Sequence, residues 1–110
     1  MIKIDEDSCG VTFTADNEII SDWVKPGQWI AWRGMFSAPY NADTDGHWLG
    51  KIVMVQPRTF KHSPIRLLVH HLGETEYTDI HARMAYRMEE PDAAAIFKYV
   101  QAYFTWLNRP

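Results

Sequence analysis

Cysteine is nearly absent: Cys9 is the only one in 110 residues. A single thiol excludes an intramolecular disulfide and any zinc knuckle built on paired cysteines. It fits a reducing compartment. Long apolar runs are also missing. The longest uninterrupted stretches are a few residues, far short of the roughly 20 that a membrane-spanning helix needs. No membrane span is expected. The opening MIKIDEDSCG carries acids where an export signal needs basic residues and then an apolar run. A cytoplasmic protein is the expectation. No repeat, low-complexity tract or linker-like run divides the chain, so residues 1–110 are read as one domain.

Catalytic signatures are missing too. There is no GxSxG, HExxH, P-loop or GxGxxG pattern. The chain is therefore not expected to be an enzyme, and no cofactor or metal is expected. The loop Asn41-x-Asp43-x-Asp45-Gly46 copies the first half of a calcium loop, which needs alternating hard oxygens and a glycine turn. Its twelfth position would be Ile52 instead of a bidentate glutamate, so it reads as a hydrophilic turn.

What is abundant is aromatic. Trp, Tyr and Phe occur five times each, 14% in all, so a few large rings can fill a small core. With 46% apolar and 23% charged residues, the chain has an ordinary globular composition. Net charge is −3, unevenly spread. Residues 1–27 and 73–92 each sum to −4, whereas 47–72 holds four basic residues and no acid. Nucleic acid is not expected as a partner of so acidic a chain.

Periodicity outlines the fold. Residues 1–5, 9–15, 28–36, 47–56, 65–72 and 77–88 read as strands, with 17–24 ambiguous and Pro26-Gly27 a turn. Ile52, Val53, Met54 and Val55 suggest burial on both faces of their strand. The 77–88 segment alternates, with Thr78, Ile80, Ala82, Met84, Tyr86 and Met88 towards a core. Glu90-Pro91-Asp92 starts a helix, with proline at its first position. Its stripe is Ala93, Ile96, Phe97, Val100, Tyr103, Phe104 and Leu107, expected to cover Ile80, Met84 and Tyr86. The expected class is α+β: an antiparallel sheet of six to seven strands followed by one long amphipathic helix. In element order alone this resembles a bent sandwich or pleckstrin-homology-like barrel.

Three functional readings follow. The leading one is a non-enzymatic protein-binding module of accessory, adaptor or immunity type, whose partner is another protein. Its contact residues would be Trp29, Trp48, Phe60 and Trp106, since Trp is enriched among binding anchors. Trp29 and Trp32 are three apart, so a regular strand cannot turn both towards the core. The second is an anion- or phospholipid-headgroup-binding domain using Arg58, Lys61, His62 and Arg66, the acid-free cluster. The third is a small nuclease-type or metal-dependent enzyme around His71, Asp79, His81 and Arg83, where histidine, carboxylate and arginine would share acid–base work. His70 and His71 are adjacent in a strand, so they point to opposite faces and cannot grip one metal together.

Overall fold

The longest strand grows from the densest β-forming stretch, KIVMV. In the computed structural model, which describes residues 4–5, 22–33, 46–56 and 65–108, the strands are β1 (Ile4–Asp5), β2 (Trp29–Trp32), β3 (Trp48–Gln56), β4 (Arg66–His71), β5 (Tyr77–His81) and β6 (Tyr86–Met88). A 3-10 turn (Ala82–Met84) separates β5 from β6, and helix α1 (Ala93–Leu107) closes the order. The sheet is antiparallel in the order β1-β6-β2-β3-β4-β5. Five strands, β2–β6, have three or more residues, and β1 adds a two-residue pairing at the edge. Among the described residues the expected six to seven strands are thus five, with β1 as a short edge pairing. The expected strand 9–15 lies outside the described residues, as does most of 17–24, whose last residues, Asp22 to Val24, form a turn and its exit.

The expected single strand 77–88 is broken. Its two halves join the sheet at different places, β5 beside β4 and β6 beside β2. In a flat sheet these halves would stand about 19 Å apart, four strand spacings of about 4.8 Å. The chain between them holds a 3-10 turn, which rises only about 2 Å per residue. The sheet must therefore coil so that its sides approach. The amide of Ala82 donates to the carbonyl of Ile65 at 2.9 Å and holds the crossing in place. A bent sandwich or closed barrel is not seen among the described residues.

Coiling creates an inner core of Ile30, Trp32, Ile52, Ile65, Leu67, Val69, Ile80, Ala82 and Ala85. The burial expected on both faces of β3 fails for a local reason. The pairing with β4 slips between Ile52 and Met54. That bulge adds one residue, so Val53 and Met54 both face outwards and Val55 returns to the core. Met54 is consequently 48% exposed.

Helix α1 packs over Ala31, Leu49 and Met88 of the other face, and its Tyr99, Tyr103 and Trp106 also reach Trp48 and His71 at the end of the inner face. Asp92, not a residue inside the first turn, is its N-cap, and Asp92 Oδ1 accepts from the Ala95 amide at 2.7 Å. Pro91 therefore sits just before the helix, not at its first position. The expected stripe is corrected as well. The buried helical residues are Tyr99 and Tyr103, with Ala95 beside them, while Phe97, Phe104 and Leu107 point outwards. Of the three residues it was expected to cover, only Tyr86 lies on this side; Ile80 and Met84 belong to the inner core. No helix among the described residues is long and apolar enough to cross a membrane.

Loss of the cap should be measurable. Asp92→Ala should lower stability by about 1 kcal/mol, read from the shift of the urea midpoint at constant slope. An unchanged midpoint would mean that packing alone fixes the start of α1.

Candidate functional site

The densest chemistry lies where α1 meets the ends of β3 and β4. His71 ends β4 and is only 2% exposed. Its Nε2 lies 2.8 Å from the Tyr99 hydroxyl, and its Nδ1 lies 3.7 Å from Glu74 Oε1. The buried Leu49 amide donates to the Tyr99 hydroxyl at 3.1 Å. The Tyr103 hydroxyl donates to Glu74 Oε1. These bonds assign one tautomer: Tyr99 O–H donates to Nε2, and the His71 proton sits on Nδ1 facing Glu74.

Rings enclose the imidazole. Trp48 and Tyr103 approach it edge-on at centroid distances of 4.8 and 4.7 Å, and Trp32 and Tyr99 stand at 5.9 and 5.8 Å. Trp106 packs on Trp48 at 5.3 Å and stacks on Tyr103 at 6.2 Å. Two glycines make room. A Cβ on Gly50 would stand 2.6 Å from the His70 carbonyl and 2.9 Å from the Trp32 ring. Gly73 has φ +93°, and a Cβ there would meet the Tyr103 ring at 2.8 Å. That turn carries the chain from His71 to Glu74.

Two influences compete at His71. Glu74 favours the imidazolium, but burial among rings disfavours it more strongly, and the pKa is pushed down to about 4. Burial also raises both tyrosines; Tyr103, helped by its bond to Glu74, is pushed up to about 12. At neutral pH His71, Tyr99 and Tyr103 are therefore all uncharged. Both ring nitrogens of His71 face groups of the protein itself, and the side chain is buried. The cluster is a polar rivet inside an aromatic shell, and the His71 of the third reading is a core residue.

The other expected site residues scatter. The β4–β5 register puts Arg66 opposite His81, Leu68 opposite Asp79 and His70 opposite Tyr77. His71 lies on the opposite face from Asp79 and His81, so the proposed catalytic row is not assembled around it. Asp79 instead accepts from Gln56 Nε2 at 2.8 Å, and His70 bonds the Glu74 carbonyl at 2.8 Å. Among the described residues no three of His, Cys, Asp and Glu gather to hold a metal ion. Arg66 is exposed at the end of β4, whereas Arg58, Lys61, His62 and Phe60 lie outside the described residues, as do Asn41, Asp43 and Asp45. Trp29 and Trp32 take opposite faces: Trp32 fills the inner core, and Trp29 is half-buried with the Lys51 ammonium 5.2 Å from its ring centroid. Trp48 and Trp106 are half-buried and pack against each other beside His71.

The outward apolar residues are elsewhere. Phe97, Phe104 and Leu107 are 64%, 47% and 49% exposed. With the half-buried Val100 they occupy positions 97, 100, 104 and 107, one continuous line along α1. Sequence reasoning assigned this line to the core. One signal pointed the other way: of the 15 helical residues only Lys98 is charged, so the helix is apolar over more than one face.

No family model matches the chain, and no curated protein or solved structure matches it significantly.

Acid should test the rivet. Below pH 6.5 the unfolded chain binds a proton at His71 that the folded chain refuses until about pH 4. Stability is therefore full above pH 6.5 and falls as pH drops, by about 3 kcal/mol from this group. Urea titrations at pH 7, 5.5 and 4.5 should show the decline, and His71→Gln should flatten it. An equally steep decline in the variant would place the acid sensitivity in other groups. Tyr99→Phe leaves the Leu49 amide and His71 Nε2 without their shared partner. It should cost about 2–4 kcal/mol at pH 7, whereas a cost below about 0.5 kcal/mol would show that the hydroxyl bonds are dispensable.

Proposed function

We propose that the chain is a non-enzymatic protein-binding module that docks through the outer face of α1. One observation carries this reading: three large apolar side chains stand in line on a helix already fixed to its sheet by the opposite face. Scattered exposed apolar residues are ordinary, but a continuous stripe on one helix is the shape recognised by helix-in-groove binding. The lack of a reachable catalytic group at His71 agrees with it. The expected tryptophan anchors are replaced in this reading by Phe97, Phe104 and Leu107. An accessory, adaptor or immunity protein would fit the same surface.

The test compares tagged wild type with a Phe97→Glu, Phe104→Glu variant, both verified as folded by near-ultraviolet circular dichroism. Each is used to retain proteins from its native lysate at low and moderately high salt. Wild type should hold a stoichiometric protein, whether a copy of itself or another chain, and keep it at high salt because the contact is apolar. The variant should lose it. Equal retention by both forms would end this reading.

A second reading, binding of an anion or a phospholipid headgroup, is favoured by the pairing of Arg66 with His81 at the sheet end from which the 57–64 connection leaves. Arg66→Glu should then abolish binding to anionic vesicles at low salt. Wild type that ignores such vesicles would exclude it.

A further inference from the structure

An electron-rich path runs through the aromatic shell beside His71. Its outermost ring, Trp106, is half-buried, stacks on Tyr103 at 6.2 Å and meets Trp48 at 5.3 Å. Trp48 in turn meets Tyr103 at 5.8 Å. Three readily oxidised rings thus connect the surface with Tyr103, which is 3% exposed. Tyr103 is the ring that touches both tryptophans, and its hydroxyl donates to Glu74 Oε1. From this arrangement we propose that Tyr103 is a one-electron redox site, which gives its electron up through Trp106 while its phenolic proton passes to Glu74. None of these residues belongs to the line 97, 100, 104 and 107, so the inference stands apart from the docking reading.

The step balances with a one-electron oxidant from solution, of the oxygen-centred radical class. The oxidant takes one electron from the Trp106 indole and leaves a radical cation. Tyr103 returns an electron to that ring, directly or through Trp48. In the same event the Tyr103 O–H bond breaks, and an O–H bond forms at Glu74 Oε1. The products are a neutral phenoxyl radical, a neutral carboxylic acid and the reduced oxidant. A one-electron reductant of the thiol or ascorbate class reverses the step: the electron returns to the phenoxyl oxygen, and the proton returns from Glu74.

Three features suit this task beyond packing. A phenol losing an electron becomes strongly acidic, so an acceptor already within hydrogen-bond reach eases the loss. Burial, with the bond to Glu74, pushes the Tyr103 pKa up to about 12. Phenolate is therefore not populated at neutral pH, and proton and electron must leave together. The backbone fixes the acceptor: a Cβ at Gly73 would stand 2.8 Å from the Tyr103 ring, so the turn lies against that ring and brings Glu74 to its hydroxyl. Burial also keeps the ring from coupling with solutes, while the Glu74 side chain, 37% exposed, can exchange its proton with water.

Tyr99 is the rival phenol. It donates to His71 Nε2, but its oxygen also accepts from the Leu49 amide. That bond draws density from the oxygen and makes its electron harder to remove. Among the described residues the Tyr99 ring meets His71 and neither Trp48 nor Trp106.

The test uses the full chain in a Cys9→Ser background, with a photo-oxidising ruthenium polypyridyl complex tethered at Thr105→Cys, an exposed position beside Trp106. Flash-quench transient absorption should show a tryptophanyl radical giving way to a tyrosyl radical. Tyr103→Phe should leave the tryptophanyl radical alone. Tyr99→Phe, verified as folded, should keep the tyrosyl signal. Glu74→Gln preserves the shape and an oxygen acceptor but cannot take up the proton, so tyrosyl formation should slow by about tenfold or more. Wild type should also be slower in D2O. These last two measurements decide the matter even where a tyrosine variant fails to fold. A wild type that stops at the tryptophanyl radical overturns the proposal. So does a tyrosyl signal that survives Tyr103→Phe or vanishes in folded Tyr99→Phe, and so does a rate unchanged by Glu74→Gln or by D2O.

Discussion

The Tyr99 hydroxyl is the point on which helix and sheet agree. Leu49 is fully buried in β3, at the end where β4 stops, and its amide needs an acceptor. Tyr99 supplies one and passes its own proton to His71 Nε2. A single oxygen thus satisfies a backbone donor of β3 and a side-chain acceptor of β4 from a helix about 28 residues further along the chain. Leaving either group unpaired in the interior would cost about 1–3 kcal/mol.

That obligation fixes the rotation of α1. Turning the helix to bury Phe97, Phe104 and Leu107 would bury apolar area, but it would expose rings of equal size at Tyr99, Tyr103 and Trp106. The hydrophobic terms nearly cancel, since each large side chain is worth about 1.5–3 kcal/mol. What does not cancel is the polar set: the Leu49 amide, the His71 imidazole and the bond from Tyr103 to Glu74. Polar satisfaction therefore decides between two apolar faces of similar strength.

This also explains which parts of the molecule could be read from its sequence. The antiparallel sheet, the Pro26-Gly27 turn, the terminal helix and the opposite facing of Trp29 and Trp32 follow from local periodicity and turn chemistry. The buried face of α1 does not, because counting apolar positions ranks Tyr99 below Phe97 and gives no weight to a hydroxyl with two buried partners. The break at Ala82–Met84 escaped for a related reason. Ile80, Ala82 and Met88 are all buried, so the alternation survives, although the first two face the inner core and Met88 faces α1. The bulge at Val53 is invisible in a run of residues that all favour strands. At His71 the sequence shows the residue and its neighbour on opposite faces, but which face is dry depends on the path of α1.

The outer stripe is then a consequence with a remainder. Once Tyr99 and Tyr103 hold the inner face, the positions at 97, 104 and 107 pack in no core cluster of the described residues. Lys, Glu or Gln there would support a helix about as well as Phe or Leu and would keep the surface wet. Propensity therefore does not account for two phenylalanines and a leucine in register on a face with one nearby charge. Packing within the described residues does not account for them either, because that demand is already met from the other side. The proposed docking of another protein on this face would account for them. The same rivet that locks α1 to the sheet holds that surface in place.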